Sequence, residues 1–427
     1  MPVIERVVAR EILDCRGRPT VEATCYLVGG ASGMASVPSG ASTGSAEAHE
    51  LRDFDPLRFG GYGCRKAVAN VNGEIHKTLQ GRNWESQGAV DRALIELDGT
   101  PQKSRMGANA ILAVSLAFAR ASAAEKSLPL WRYFAALTGS TPSTLPQLTI
   151  NLFSGGMHAG GQVEIQDSLI VPLSASTIAR SLEMAYDVYA AAASLCAERY
   201  GMRLLRADEG GLAPPFGSVE EMLGVTVESI ERAGYVPGRD IGMAVDVAST
   251  HFHEGGVYRI GGEQRNSARM IQLIRFWVER FPIVSVEDGL AEDDWENWPL
   301  LRTALAGRAL TLGDDLLATQ TARIRRAVEG SAADALLLKV NQCGTLTEAA
   351  AAYAAARDAG WKVTVSVRSG DTEDSWPADL AVGWSADYFK GGSITQSERL
   401  AKYNRLMALE VETNYPLAGF FTTFRNA

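Results

Sequence analysis

The sequence predicts an α/β protein in which a mixed strand-and-helix N-terminal third precedes a closed α/β barrel. Two observations carry that expectation. Beyond residue 147, short β-rich apolar runs recur, most of them separated by stretches of helical length. Such alternation points to parallel strands with crossover helices, and the number of units suits a barrel. A Pro/Ser/Thr cluster at 139–146, GSTPSTLP, breaks the pattern and is the best domain boundary in the chain. The expected organisation is therefore 1–138 and 139–427. With 427 residues, one small core is improbable and a two-part chain fits.

Taken in order, TVEATCYL at 20–27 alternates polar and apolar residues with period two, as a half-buried strand does. Gly and Ser crowd 29–44, which reads by composition as a long mobile loop. Residues 107–125 are Ala-rich and almost wholly apolar through their first turns, which suits a helix buried on most sides. The strand candidates that follow are 148–151, 168–171, 241–248, 283–288, 309–315, 335–342 and 362–369, with helices at 264–280, 292–307 and 344–359.

Composition excludes several classes. A chain that is 46% hydrophobic and 21% charged, with 42 Gly and 16 Pro, is neither collagenous nor disordered. Lys and Arg total 41 against 50 Asp and Glu, a net charge of −9, so general nucleic-acid affinity is not expected. Five scattered cysteines without a CxxC read as reduced, mostly buried thiols of a cytoplasmic protein. The opening MPVIERVVAREIL carries charges through its apolar stretch and is no signal peptide, and no apolar run is long enough to span a membrane.

The apolar runs end in polar groups: IGMAVD at Asp246, IVSVE at Glu287, LTLGD at Asp314, ALLLK at Lys339, and VTVSVRS at Arg368 and Ser369. Any one of these is equally well a strand-end residue reaching solvent. Together, at the same point of successive barrel strands, they converge on one mouth, where the sites of this architecture lie. Asp246, Glu287 and Asp314 are hard oxygen donors, which favour Mg²⁺ over Zn²⁺ and repel one another unless a cation holds them. Lys339, desolvated and near a dication, is expected to have a lowered pKa and to act as a general base. Arg368 with Ser369 offers a planar fork and a hydroxyl for phosphate or carboxylate. The set fits proton abstraction next to a carboxylate.

The chain resembles the enolase family over nearly its whole length. The matching strings are SGASTG at 39–44, ANVN at 69–72, IELDGTP at 95–101, GANAIL at 107–112, HAGG at 158–161 and DEGGLAP at 208–214. They continue with VSVEDGL at 284–290, GDDL at 313–316, LLLKVNQCGTLTEA at 336–349, RSGDTED at 368–374 and AKYN at 401–404. The resemblance implies an α+β N-terminal domain on an eight-stranded α/β barrel, in a homodimer. It implies Asp246, Glu287 and Asp314 as ligands of a catalytic Mg²⁺, with Ser39 closing over substrate and helping to hold a second Mg²⁺. Lys339 is implied as the base, Lys390 as a neighbour of the substrate carboxylate, and Glu209 as the acid that assists loss of the β-hydroxyl. His158 is implied near the phosphate, with Arg368 and Ser369 as its binders. One or two Mg²⁺ ions stabilising an enediolate formed by a lysine base is the chemistry of this superfamily.

Two positions depart from the resemblance. Asp167 in IQDSLIV stands where enolases carry Glu, and Val367 in SVRSGD stands where they carry His. An Asp withdraws its carboxylate by roughly one bond length, ~1.5 Å, and an error of that size costs about 100-fold in rate. Valine neither donates nor accepts a hydrogen bond. Proton abstraction is retained and the leaving-group side rebuilt, so the expectation is a specialised paralogue. It would form an enolpyruvyl product from a phosphorylated or phosphonate three-carbon acid, as carboxyphosphonoenolpyruvate synthases do. The alternatives are ordinary conversion of 2-phosphoglycerate to phosphoenolpyruvate and a non-catalytic binding role, the last disfavoured by the intact acids and lysines. His251 and His253 of HFH, GGYG at 60–63, and Trp295 and Trp298 are read as structural.

Overall fold

The computed structural model describes residues 2–41, 44–201 and 205–420. Its N-terminal third opens with an antiparallel sheet of β1 (Ile4–Leu13), β2 (Pro19–Leu27) and β3 (Ser32–Ser36) in that order. The alternation at 20–27 is realised in β2, where Val21, Ala23, Cys25 and Leu27 turn inward. Helices α1 (Arg65–Asn70), α2 (His76–Leu79), α3 (Gln87–Asp98), α4 (Ala108–Glu125) and α5 (Leu130–Thr138) follow, with one π-helical turn, Val71–Ile75, between the first two. Helix α4 is buried on nearly every side, as its composition requires.

The reading of 29–44 as one loop is corrected by β3. Gly33 is the reason: a Cβ there would lie 2.3 Å from Ala121 N and 2.5 Å from Ala117 O of α4. Glycine here lets a strand lie against a helix backbone and does not mark a mobile segment. Ser42 and Thr43 of that loop lie outside the described residues.

The remainder is a closed eight-stranded barrel wrapped by helices. In chain order it runs β4 (Gln147–Ser154), β5 (Asp167–Val171), α6 (Ile178–Tyr200), α7 (Val219–Arg232) and β6 (Gly242–Asp246). A small antiparallel sheet of β7 (His253–Glu254), β8 (Val257–Ile260) and β9 (Glu263–Arg265) then leads to α8 (Ser267–Arg280) and β10 (Ile283–Glu287). Next come α9 (Trp298–Leu305), β11 (Leu310–Gly313), α10 (Thr321–Glu329), β12 (Ala335–Leu338), α11 (Val340–Cys343) and α12 (Leu346–Asp358). Last are β13 (Lys362–Ser366), α13 (Trp376–Gly383), β14 (Tyr388–Lys390) and α14 (Ser397–Thr413).

The barrel is not wholly parallel, as the alternation had suggested. Strand β5 pairs antiparallel with both β4 and β6. The connection 155–166 between β4 and β5 carries no crossover helix, and without one the chain can only return antiparallel. The eighth strand, β14, has only three residues and gives no periodic signal.

Candidate active site

Strand direction gathers the polar residues. Asp246 and Glu287 close β6 and β10 and are register partners, while Lys390 closes β14. Asp314 and Lys339 follow β11 and β12 by one residue, and Arg368 follows β13 by two. All stand at the carboxyl end of the parallel strands. Asp167 begins β5, but because β5 runs the other way it reaches the same end and pairs with Asp246. His158 comes from the β4–β5 connection, and Glu209 from the segment between α6 and α7.

Two ammonium groups stand among the carboxylates. Lys390 Nζ lies 2.8 Å from Asp246 Oδ2, and 2.8 and 2.7 Å from the two oxygens of Glu287. Lys339 Nζ donates to Asp314 Oδ2, whose other oxygen accepts from Gln342 Nε2 at 2.8 Å. Burial pushes Asp246 up, but Lys390 outweighs it and holds the carboxyl near 2. Burial and the Asp246 charge push Glu287 well above the usual range. Burial also works to lower Lys339, yet Asp314 wins and its ammonium lies above the ordinary lysine value. That is opposite to the sequence expectation, which counted on a neighbouring dication.

The donor set suits a hard cation. Positive charge is what these acids are arranged around, and every one of them offers oxygen. Gln166 Nε2 donates to Asp246 Oδ2 at 3.2 Å, while its buried Oε1 has no partner among the described residues. Leaving such an acceptor unmet costs roughly 1–3 kcal/mol, which a ligand at this spot would relieve. Among the described residues two groups each bring their ligand atoms within 4.8 Å of one another: Asp288, Asp314 and Asp315 form one, and His158, Asp167 and Glu209 the other. The trio read from the sequence shares Asp314 with the first. Asp288 went unsingled there, although it orients Asp314 by accepting from the backbone N–H of Asp314 at 2.9 Å and of Asp315 at 2.7 Å.

Arg368 is held in a fork by Glu47, with Nη1 3.0 Å from Oε2 and Nη2 3.2 Å from Oε1. Glu47 was not foreseen, since nothing marks it among the acids of SAEAHE. Ser369 Oγ accepts from Ala41 N at 2.9 Å. His158, Gln166, Glu209, Val367, Arg368 and the two lysines border a cavity of only about 10 Å³, room for about one water. Ser39 lies elsewhere. Its hydroxyl accepts from Arg52 Nη2 at 2.7 Å and donates to Glu50 at 3.1 Å, in a separate cavity of about 420 Å³. Ser39, which the resemblance assigns to a second Mg²⁺, thus has its hydroxyl engaged by a guanidinium and a carboxylate. Its backbone still ties the loop to the barrel through two hydrogen bonds with Gly370, at 2.7 and 2.9 Å.

A family model of the enolase C-terminal TIM barrel domain matches residues 142–419, and one of the enolase N-terminal domain matches residues 4–134. The chain belongs to the enolase family. It is an enzyme of the enolase type, a family that acts on small phosphorylated carboxylic acids with Mg²⁺, and its acidic clusters could hold a metal ion. Among the described residues, no helix is long and apolar enough to cross a membrane. The family resemblance sharpens the two departures. Val367 is buried and borders the cavity, placing an isopropyl group where the resemblance implies an imidazole. Asp167 is fully buried and does not border the cavity.

Proposed function

We propose that this member of the enolase family forms an enolpyruvyl product from a phosphorylated or phosphonate three-carbon acid, as a specialised paralogue of the carboxyphosphonoenolpyruvate synthase kind. The observation that carries the reading is the contrast between the two walls of the cavity. On one wall Asp246 and both lysines border the cavity, with Glu287 and Asp314 paired to those lysines; on the other, Val367 is apolar and Asp167 stands back from the cavity altogether. Ordinary conversion of 2-phosphoglycerate to phosphoenolpyruvate is the second reading, favoured by the completeness of the first wall.

In the proposed reaction Lys339 takes the proton next to the substrate carboxylate. Burial already favours its neutral amine and Asp314 is the strongest influence against it, so engaging Asp314 elsewhere frees the base. Lys390 faces the substrate carboxylate, and Arg368 with Ser369 grips the phosphate or phosphonate once Glu47 yields. Glu209 protonates the departing β-hydroxyl, which leaves as water when 2-phosphoglycerate is the substrate, and His158 stands beside it near the phosphate. Mg²⁺ bound by Asp246, Glu287 and Asp314 would supply the positive charge that makes so weak a carbon acid ionisable. A division at 1–138 and 139–427, a homodimer and a cytoplasmic location complete the proposal.

The test mixes pure protein, Mg²⁺ and 2-phosphoglycerate and follows absorbance of the enol phosphate. Slow turnover that rises by about tenfold or more in Asp167→Glu/Val367→His is expected, by the positional sensitivity of such sites. Fast turnover by the unaltered protein supports the ordinary enolase instead. Binding without turnover of any phosphonate acid would leave a non-catalytic role.

A further inference from the structure

Replacing Glu by Asp at 167 leaves a carboxylate whose oxygens are already engaged. Oδ1 accepts from Asn151 Nδ2 at 2.6 Å and from Ser154 Oγ at 2.8 Å, and Oδ2 lies 3.0 Å from His158 Nδ1. An ionised carboxylate only accepts, so Nδ1 carries the hydrogen and Nε2 is the ring nitrogen left for other partners. Nε2 lies 3.9 Å from Glu209 Oε1.

The anchors are firm. Asn151 and Ser154 both sit on β4, and Ser154 is the register partner of Asp167. Gly211 presses on them so closely that a Cβ would lie 2.6 Å from Asn151 Oδ1 and 2.8 Å from Ser154 Oγ. The segment that carries Glu209 is bound to the same strand: Ser154 N donates to Leu212 O at 2.9 Å, and Leu212 N to Leu152 O at 2.8 Å. Asp167, His158 and Glu209 are thus set relative to one another by backbone pairing.

We infer that Asp167 is a positioning residue that does not meet the substrate: anchored by Asn151 and Ser154, it fixes the Nδ1–H form and orientation of His158, so that His158 Nε2 and Glu209 make the wall that does. The role of that wall rests on the functional reading above; the fixing of the ring does not. The charged groups facing the ring agree with it. Asp167, Glu209 and Asp246 act on His158 from the acidic side, Lys390 faces the same acids, and His251 lies beyond. Burial opposes the imidazolium, but the acids prevail and push His158 up to about 9.

The full-length protein, labelled with ¹⁵N-histidine, has five imidazoles to assign. The expected spectrum has His158 with hydrogen on Nδ1 and still protonated at pH 8. Asp167→Asn should abolish that signature, and Ser154→Ala, a milder change, should move it the same way by less. With a competent substrate, Asp167→Asn should lower kcat by about 10- to 100-fold with little change in KM. The double variant Asp167→Asn/His158→Gln should be no slower than His158→Gln alone, because residues acting as one unit are not additive. A His158 signature unmoved by Asp167→Asn and Ser154→Ala overturns the inference. So does a double variant whose loss is the product of the single losses, since Asp167 would then act on substrate by itself. The spectrum needs no substrate, so it stands or falls separately from the phosphonate reading.

Discussion

At the mouth of the barrel two cations that could meet a substrate anion are already engaged, Arg368 by Glu47 and Lys390 by Asp246 and Glu287. A ligand phosphate must therefore compete with a carboxylate of this chain. Glu47→Gln keeps the shape and removes the charge, and should tighten binding of inorganic phosphate by about tenfold, the scale of one charge-assisted pair. Calorimetric titration reads this directly, and an unchanged affinity would separate Glu47 from the anion seat. His158 makes a second prediction at this scale. Its folded pKa is raised to about 9, so its contribution to stability is complete below the unfolded value of roughly 6.5 and is lost as pH rises through about 9. The melting temperature of the unaltered protein should fall across that window relative to His158→Gln, whose profile should be flatter. Much of this was legible in the sequence, since Asp246, Glu287, Asp314 and Lys339 each end an apolar run. Glu47 was not, because its partner lies more than three hundred residues away. The type of residue 167 was visible, but its withdrawal depends on Asn151 and Ser154, which only the strand pairing brings to it.

Elements were legible in proportion to their length and regularity. Strand β2 and helix α4 declared themselves by pattern, whereas β14 is too short for one and β3 was hidden by the glycine that makes it possible. The barrel followed from the alternation of strands and helices, but the reversed direction of β5 did not, because it depends on what the connection 155–166 lacks. That reversal matters to the site, as it brings Asp167 beside Asp246. Gly33 offers the clearest test of an element's packing. Gly33→Ala drives a methyl into the α4 backbone and should cost about 1–3 kcal/mol, the usual penalty of overpacking. Urea denaturation measures it; a neutral result would mean that β3 does not lie against α4.

Across the whole molecule, the N-terminal third and the barrel are stitched by buried polar contacts. Asp91 of α3 accepts from both the backbone N–H and the hydroxyl of Thr347 at the start of α12, at 2.9 and 2.6 Å, and is fully buried. Asp91→Ala leaves those donors unmet and should cost about 1–3 kcal/mol in urea denaturation. A cation bound by the folded barrel acts in the opposite direction. Mg²⁺ at a hundred times its dissociation constant should stabilise the protein by about 2.7 kcal/mol. Asp246→Asn and Glu287→Gln should remove that gain while leaving the gain from other ligands. In the proposed reaction everything turns on Lys339 removing a proton from the carbon next to a carboxylate. The most direct measurement is proton NMR of 2-phosphoglycerate in D₂O with Mg²⁺, which detects exchange at that carbon whether or not the leaving group departs. Mg²⁺-dependent exchange in the unaltered protein, abolished in Lys339→Ala, is the predicted result; exchange that survives in Lys339→Ala would contradict it.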